Sequence, residues 1–224
     1  MSTWMRAGLA CPACGGGVET PIAKGVHASR APQTRAAILD GTLHRMQCTH
    51  CAAAIVIDAE LLYTDFARGH WVQVGAAADL ARWPTIERDA LAGFQRWLTA
   101  TSPAIAPEAA RFTVRVVLGL DELRERLLLW DAGLDDALVE CAKHVALRQQ
   151  PAIRGAGHRL RVERVDHAEL HLASIDDARQ VRARWTMPRG LIDSLDRAQW
   201  RRDLPELFEP GFASIDRLLV DEAG

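Results

Sequence analysis

Three observations predict an α+β fold. Two C-x-x-C turns, Cys11-Pro12-Ala13-Cys14 and Cys48-Thr49-His50-Cys51, are each flanked by strand-like sequence. Apolar residues then recur at helical spacing in three later stretches, and a final region alternates apolar and arginine residues. The first observation makes a zinc-ribbon-like β module, because a ribbon brings a hairpin tip from each side onto one ion. The other two make a mixed helix/hairpin half that follows it.

Composition sets the frame. The chain has 224 residues, a formal net charge of −2 and five cysteines, a profile of globular proteins with one large or two small domains. No apolar run is long enough to cross a bilayer, and residues 1–10 lack the apolar segment of an export signal. Paired thiols without such a signal are expected in the reducing cytoplasm.

In order along the chain, the first knuckle is followed by Gly15-Gly16-Gly17, backbone free of side chains at a metal turn. Residues 18–26 read as a strand interrupted at Pro21. Residues 29–39 read as mobile or helical, ended by the Asp40-Gly41 turn. Short strands at 42–47 and 54–57 lead into and out of the second knuckle. The interval between the cysteine pairs is 33 residues, long enough to be a structured excursion. Residues 61–63 and 70–74 read as further strands. A helix over about 85–98 places Ile86, Leu91, Phe94 and Leu98 near one face.

A similarity carries this part of the reading further. Cys-Pro-x-Cys, an insert ending in Asp40-Gly41-x-Leu43-x-Arg45, the second Cys-x-x-Cys and Leu61-Leu62-Tyr63-x-Asp65 resemble the bacterial and archaeal CpXC family. The resemblance covers residues 11–74 at least, and Leu118-Gly119-Leu120-x-Glu122-Leu123-Arg124 is similar to longer members. Thr49 replaces the second proline, which only stiffens the turn. The resemblance implies a cysteine-held zinc and implies no activity.

Residues 99–110, with Pro103 and Pro107, read as a linker, so the domains are expected at 1–98 (zinc-binding) and 108–224 (α+β). A strand over 111–118 opens the second. A helix over 120–130 aligns Leu120, Leu123, Leu127 and Trp130 and stops at Gly133. The next, over 134–149, puts Leu134, Leu138, Cys141 and Val145 on one stripe and ends before Pro151. Residues 159–173 read as a hairpin. Short helical pieces at 188–197 and 199–207 and a turn at 214–219 complete the chain.

Cys11, Cys14, Cys48 and Cys51 are the expected ligands of one zinc ion. Four thiolates fill its coordination sphere, so the site reads as structural rather than catalytic. Two unrelated thiol pairs, or a redox dithiol, are the blander alternatives. His44 and His50 read as surface or supporting residues beside the thiols. Cys141 reads as a small buried hydrophobe, not a nucleophile. His167-Ala168-Glu169 has the H-x-E of zinc deaminases in the wrong order relative to Cys-Pro-x-Cys. The longer run to His171 misplaces the glutamate of H-E-x-x-H, and in a strand its histidines stand roughly 13 Å apart. No catalytic residue is assigned.

Zinc ribbons commonly meet nucleic acid, but residues 1–75 hold six Lys/Arg against five Asp/Glu, too balanced to attract phosphate. Two basic clusters remain, Arg154-Arg159-Arg161-Arg164 and Arg179-Arg182-Arg184-Arg189, read as solvated faces. The favoured function is a non-enzymatic, zinc-stapled protein that binds a protein partner or itself. The alternative is a nucleic-acid-associated factor using Arg159, Arg161 and Arg164, and an enzyme with an unrecognised site is the third reading.

Overall fold

The computed structural model describes residues 2–100, 111–149, 158–176 and 178–221. Among these are ten strands and seven α-helices in two compact units, residues 1–123 and 124–224.

The first unit is built on a five-stranded sheet in the order β1-β2-β5-β6-β7. β1 (Thr3–Ala10) pairs antiparallel with β2 (Gly17–His27). The first knuckle is the tip of this hairpin. β1 is absent from the sequence reading because its Trp-Met-Arg-Ala-Gly-Leu pattern does not alternate cleanly. As an edge strand it has exposed residues on both faces, with Trp4 and Met5 each about half exposed. β2 runs unbroken through Pro21, contrary to the expected interruption. Pro21 is tolerated because β5 pairs with β2 only at Gly25–His27, leaving β1 as its one neighbour in the sheet at Pro21.

α1 (Pro32–Leu39) starts on a proline at its first position and ends at Asp40, with Gly41 left-handed behind it. β3 (Arg45–Gln47) and β4 (Ala54–Val56) form a separate small hairpin carrying the second knuckle. β3 is shorter than the expected 42–47 strand because Thr42 and Leu43 bond back to Ala37 at the end of α1. β5 (Leu61–Asp65) and β6 (His70–Gly75) pair antiparallel. α2 (Trp83–Ala100) lays Phe94 on Trp71 and Val114, with Leu91, Trp97, Leu98 and Phe112 packed around them.

β7 (Thr113–Leu118) pairs parallel with β6 from His70↔Thr113 to Gly75↔Leu118. The expected division at 98/108 placed this strand with the C-terminal half. Its six register pairs draw it into the first unit, and the division falls inside α3 instead. Most of the expected linker, like Pro151 and Arg154, lies outside the described residues.

In the second unit α3 (Leu120–Asp131) is followed by α4 (Asp136–Gln149), whose first N–H groups at Ala137 and Leu138 are capped by the Asp135 carboxylate. β8 (Arg159–Val165) and β9 (Glu169–Ile175) form the expected hairpin. β10 (Val181–Pro188) adds a third strand on β9, unforeseen because its arginines mask the alternation. α5 (Arg189–Asp193), α6 (Arg197–Asp203) and α7 (Ile215–Asp221) follow. The core joins Leu129, Leu138, Val139 and Cys141 to Leu160, Val162, Leu170, Leu172, Leu207 and Ile215.

Candidate metal centre

The two knuckles fold alike. In the first, the Cys11 N–H donates to the Gly16 carbonyl at 2.9 Å and the Gly15 N–H to the Cys11 carbonyl at 2.8 Å. In the second, the Cys48 N–H donates to the Ala53 carbonyl at 2.8 Å and the Ala52 N–H to the Cys48 carbonyl at 2.9 Å. The residue after the second cysteine is left-handed in both, Gly15 at φ 72° and Ala52 at φ 57°. Each six-residue tip therefore closes a two-stranded ladder, Ala10↔Gly17 in one hairpin and Gln47↔Ala54 in the other.

This geometry brings the four expected residues together. The sulfurs of Cys11, Cys14, Cys48 and Cys51 lie within 4.8 Å of one another, close enough to hold a metal ion. Contacts across the knuckles, Cys11 to Cys51 and Cys14 to Cys48, are both 3.8 Å. Cys11 and Cys48 are buried, while Cys14 and Cys51 are exposed. The core beneath them is small: Val18, Ile22, Ile55 and Ile57 join the two buried cysteines.

The thiols are electrostatically unequal. The N–H groups of Cys14 and Ala13 lie against Cys11 and lower it to about 6, since a donor stabilises the thiolate. At Cys51 the Ala53 N–H also lowers, but the crowding sulfurs of Cys14, Cys11 and Cys48, with the local loss of water they cause, outweigh it and push this thiol up to about 12. Cys11 is thus the thiol that most readily carries a negative charge, and Cys51 resists one. A bound cation removes that resistance.

Both nearby histidines support the centre rather than join it. The His50 N–H faces Cys48 Sγ at 3.4 Å, and its ring Nε2 meets the Gly17 carbonyl at 3.1 Å. The ring lies so close to Gly16 that a Cβ there would meet its Cδ2 at 2.6 Å. His44 is buried, and its Nε2 accepts the Ala23 N–H at 2.9 Å. That bond ties the second hairpin's base to β2. It requires an unprotonated Nε2, consistent with burial and the Lys24 charge holding His44 below its ordinary value.

A protein-family model described as CpXC protein matches residues 9–143, more than half of the chain. The chain belongs to the CpXC family. The match takes in both knuckles, and it extends through α3 to Lys143 in α4. No curated protein and no solved structure matches the chain.

In this CpXC protein Arg164, Arg182 and Arg184 are exposed, as a solvated face requires, and Arg161 is the exception. Arg161 is 4 % exposed, and its Nη2 lies 2.5 Å from the Asp216 carboxylate. It does not face solvent, because α3 and α7 supply carboxylates to it from Glu125 and Asp216. Arg164 is exposed and ion-paired with Asp166 at 3.3 Å. His171 and the N–H groups of Glu169 and Ala168 hold Asp166 well below the usual carboxylate range. Arg159 is half-buried at the start of β8. In the second cluster, Arg182 pairs with Asp176 and Arg184 with Glu163. Cys141 is buried and is not among the four clustered cysteines, and burial pushes its thiol up to about 12.

One constellation in the CpXC protein escaped the sequence reading. Glu125 and Arg126 of α3, Glu140 and Lys143 of α4, Arg161 of β8 and Asp216 of α7 are all at most 4 % exposed. Lys143 Nζ stands 2.6 Å from Glu125 and 2.8 Å from Glu140, and Arg126 stands 3.0 Å from Glu140. Burial would raise both glutamates. At Glu140 the Lys143 and Arg126 charges outweigh it and hold the carboxyl low, whereas at Glu125 burial wins. The only local signal was the i, i+3 spacing of Glu140 and Lys143, common on exposed helices. Among the described residues no helix is long and apolar enough to cross a membrane.

Proposed function

We propose that Cys11, Cys14, Cys48 and Cys51 hold one zinc ion as a structural staple, and that the chain acts through contacts with a protein partner or a second copy of itself, in the reducing cytosol. The cross-knuckle sulfur spacing of 3.8 Å carries the metal reading. Four thiolates about 2.3 Å from a tetrahedral zinc stand about 3.8 Å apart along each edge. Such a sphere leaves no position for water or substrate, which supports a staple over a catalyst. The staple has work to do: four buried aliphatic side chains beneath it, edged by partly buried residues such as Leu9 and Met46, make too small a core to hold the β3–β4 hairpin by burial alone.

Interaction with protein rather than nucleic acid is supported by the arginines. Arg161, Arg164, Arg182 and Arg184 each have a carboxylate partner, and the chain's formal charge is −2. Little field remains to release counterions from a phosphate backbone.

Elemental analysis of purified protein tests the metal reading, with one zinc per chain expected. A stably folded protein with near-zero zinc sinks it. A pull-down tests the partner reading, and titration of labelled oligonucleotides at several salt concentrations tests the rival. Submicromolar, steeply salt-dependent binding abolished by glutamine at Arg159 and Arg164 would replace the protein-interaction reading with the nucleic-acid one.

A further inference from the structure

Residues 212–216 of the second unit are held in an unusual manner. Phe212, Ala213, Ser214, Ile215 and Asp216 are at most 2 % exposed, yet 212–214 belong to no helix or strand. A buried chain without regular structure must find partners for its backbone groups. Here buried charges supply them. Arg126 Nη2 donates to the Ala213 carbonyl at 2.6 Å, and Glu140 Oε2 accepts the Ile215 N–H at 2.9 Å. Arg161 then reads the Asp216 side chain at 2.5 Å. A cation on a carbonyl, an anion on the next-but-one N–H and a cation on a carboxylate together recognise a short peptide. All three side chains stand on other elements, α3, α4 and β8.

The connection to this segment is equally distinct. Leu207 and Phe208 are anchored in the core, Glu209 and Pro210 are exposed, and Gly211 takes φ 113°. An anchor, a two-residue exposed hinge and a fully buried strap follow in sequence. Pro210 disfavours helical backbone at Glu209, and the chain bends at both hinge residues. The slot's chemistry recognises the strap by its own groups, independently of which chain delivers it.

We propose that the slot of Arg126, Glu140 and Arg161 accepts the 212–216 segment from a second copy of this chain as well as from its own, so that two chains exchange segments into a closed dimer. Exchange conserves every contact within each slot, and the two-fold arrangement closes without leaving a slot empty. The partner is thus a second copy contributing Ala213, Ile215 and Asp216. This inference rests on the self-association limb of the proposed function and is independent of zinc. A different protein captured by the pull-down leaves that broader interaction reading standing when exchange fails.

Charge reversal tests it with full-length chains. Arg161→Asp and Asp216→Arg are made separately and together. Each single variant faces like charges in a buried site and should lose on the order of a hundredfold or more in its folding equilibrium. The double variant restores opposite charges within one chain and shows that the reversed pair fits. The two single variants are then refolded together at equal concentration. In an exchanged heterodimer both slots regain opposite charges. The expected result is a species of twice the chain mass, melting near the double variant and absent from either variant refolded alone. A mixture that remains monomeric, with the separate low melting transitions unchanged, overturns the proposal. Should the double variant fail to fold, two differently tagged wild-type chains are co-refolded at rising concentration. A mixed-tag dimer that persists on dilution and is lost with Gly211→Pro at the hinge supports exchange, and its absence overturns it.

Discussion

The left-handed residue after each second cysteine offers a measurement that can be worked from geometry. Gly15 and Ala52 occupy equivalent positions, at φ 72° and 57°, but only one is glycine. An alanine held there costs about 1–2 kcal/mol of steric strain. Glycine relieves that strain and gives back about 0.5–1 kcal/mol through the entropy of the unfolded chain. Ala52→Gly should therefore stabilise the second knuckle by about 0.5–1 kcal/mol. Because ordering the knuckle is coupled to holding the ion, zinc affinity should rise roughly two- to fivefold. Gly15→Ala should move the same amount in the opposite direction, since nothing lies within 4 Å of a Cβ built there to add a clash. Gly16→Ala should cost more than Gly15→Ala, because its methyl meets the His50 ring at 2.6 Å, and His50→Ala should recover part of that loss. Competition with a chromophoric chelator gives the affinities, and denaturant unfolding of the zinc-loaded protein gives the stabilities. A drop in both on Ala52→Gly would refute the reasoning, for it would mean that the alanine side chain contributes more than its backbone strain removes.

Three further outcomes are expected. Cys141→Ala should keep a full zinc complement and lose about 1 kcal/mol of stability from packing; metal loss by elemental analysis would show that the thiol has another role. Lys143→Met leaves two buried carboxylates without their shared cation and should destabilise by about 3–5 kcal/mol, with Glu125→Gln recovering part of it in chemical denaturation. His44 has a folded-state pKa below its unfolded value of 6.5, so the unfolded chain binds the proton first. Stability linked to it is intact above about 6.5 and is lost as pH falls from there toward the folded value, with a slope of at most about 1.4 kcal/mol per pH unit. His44→Gln, which still offers an acceptor to the Ala23 N–H, should show a shallower decline than wild type across that window.

The four-cysteine cluster was legible in the sequence because its determinants are local. A C-x-x-C turn, a glycine behind the first knuckle and strand-like flanks each specify conformation over a few residues, and two such turns define a donor set before any long-range contact is known. Helices α2, α3 and α4 were legible for the same reason, through apolar spacing and stops such as Gly133. Strands whose pattern depends on what covers them were not. β1 is exposed on both faces and β10 carries arginines toward solvent, so neither alternates as an isolated half-buried strand should. The placement of β7 was decided by backbone pairing with β6 across about forty residues of chain, which no local pattern records.

The division is sharpest among the charges. Arg161 and Arg164 stand three residues apart in one strand and look equivalent as sequence, yet the first is buried against Asp216 and the second pairs with Asp166 at the surface. A charged residue's own chemistry does not say whether a carboxylate fifty-five positions away will come to meet it. The sequence by itself determined which sulfurs can share an ion, because four soft donors on two tight turns have few other uses. Only the tertiary structure decided which arginines are spent inside the second unit, because burying a charge depends on partners assembled from α3, α4, β8 and α7 at once.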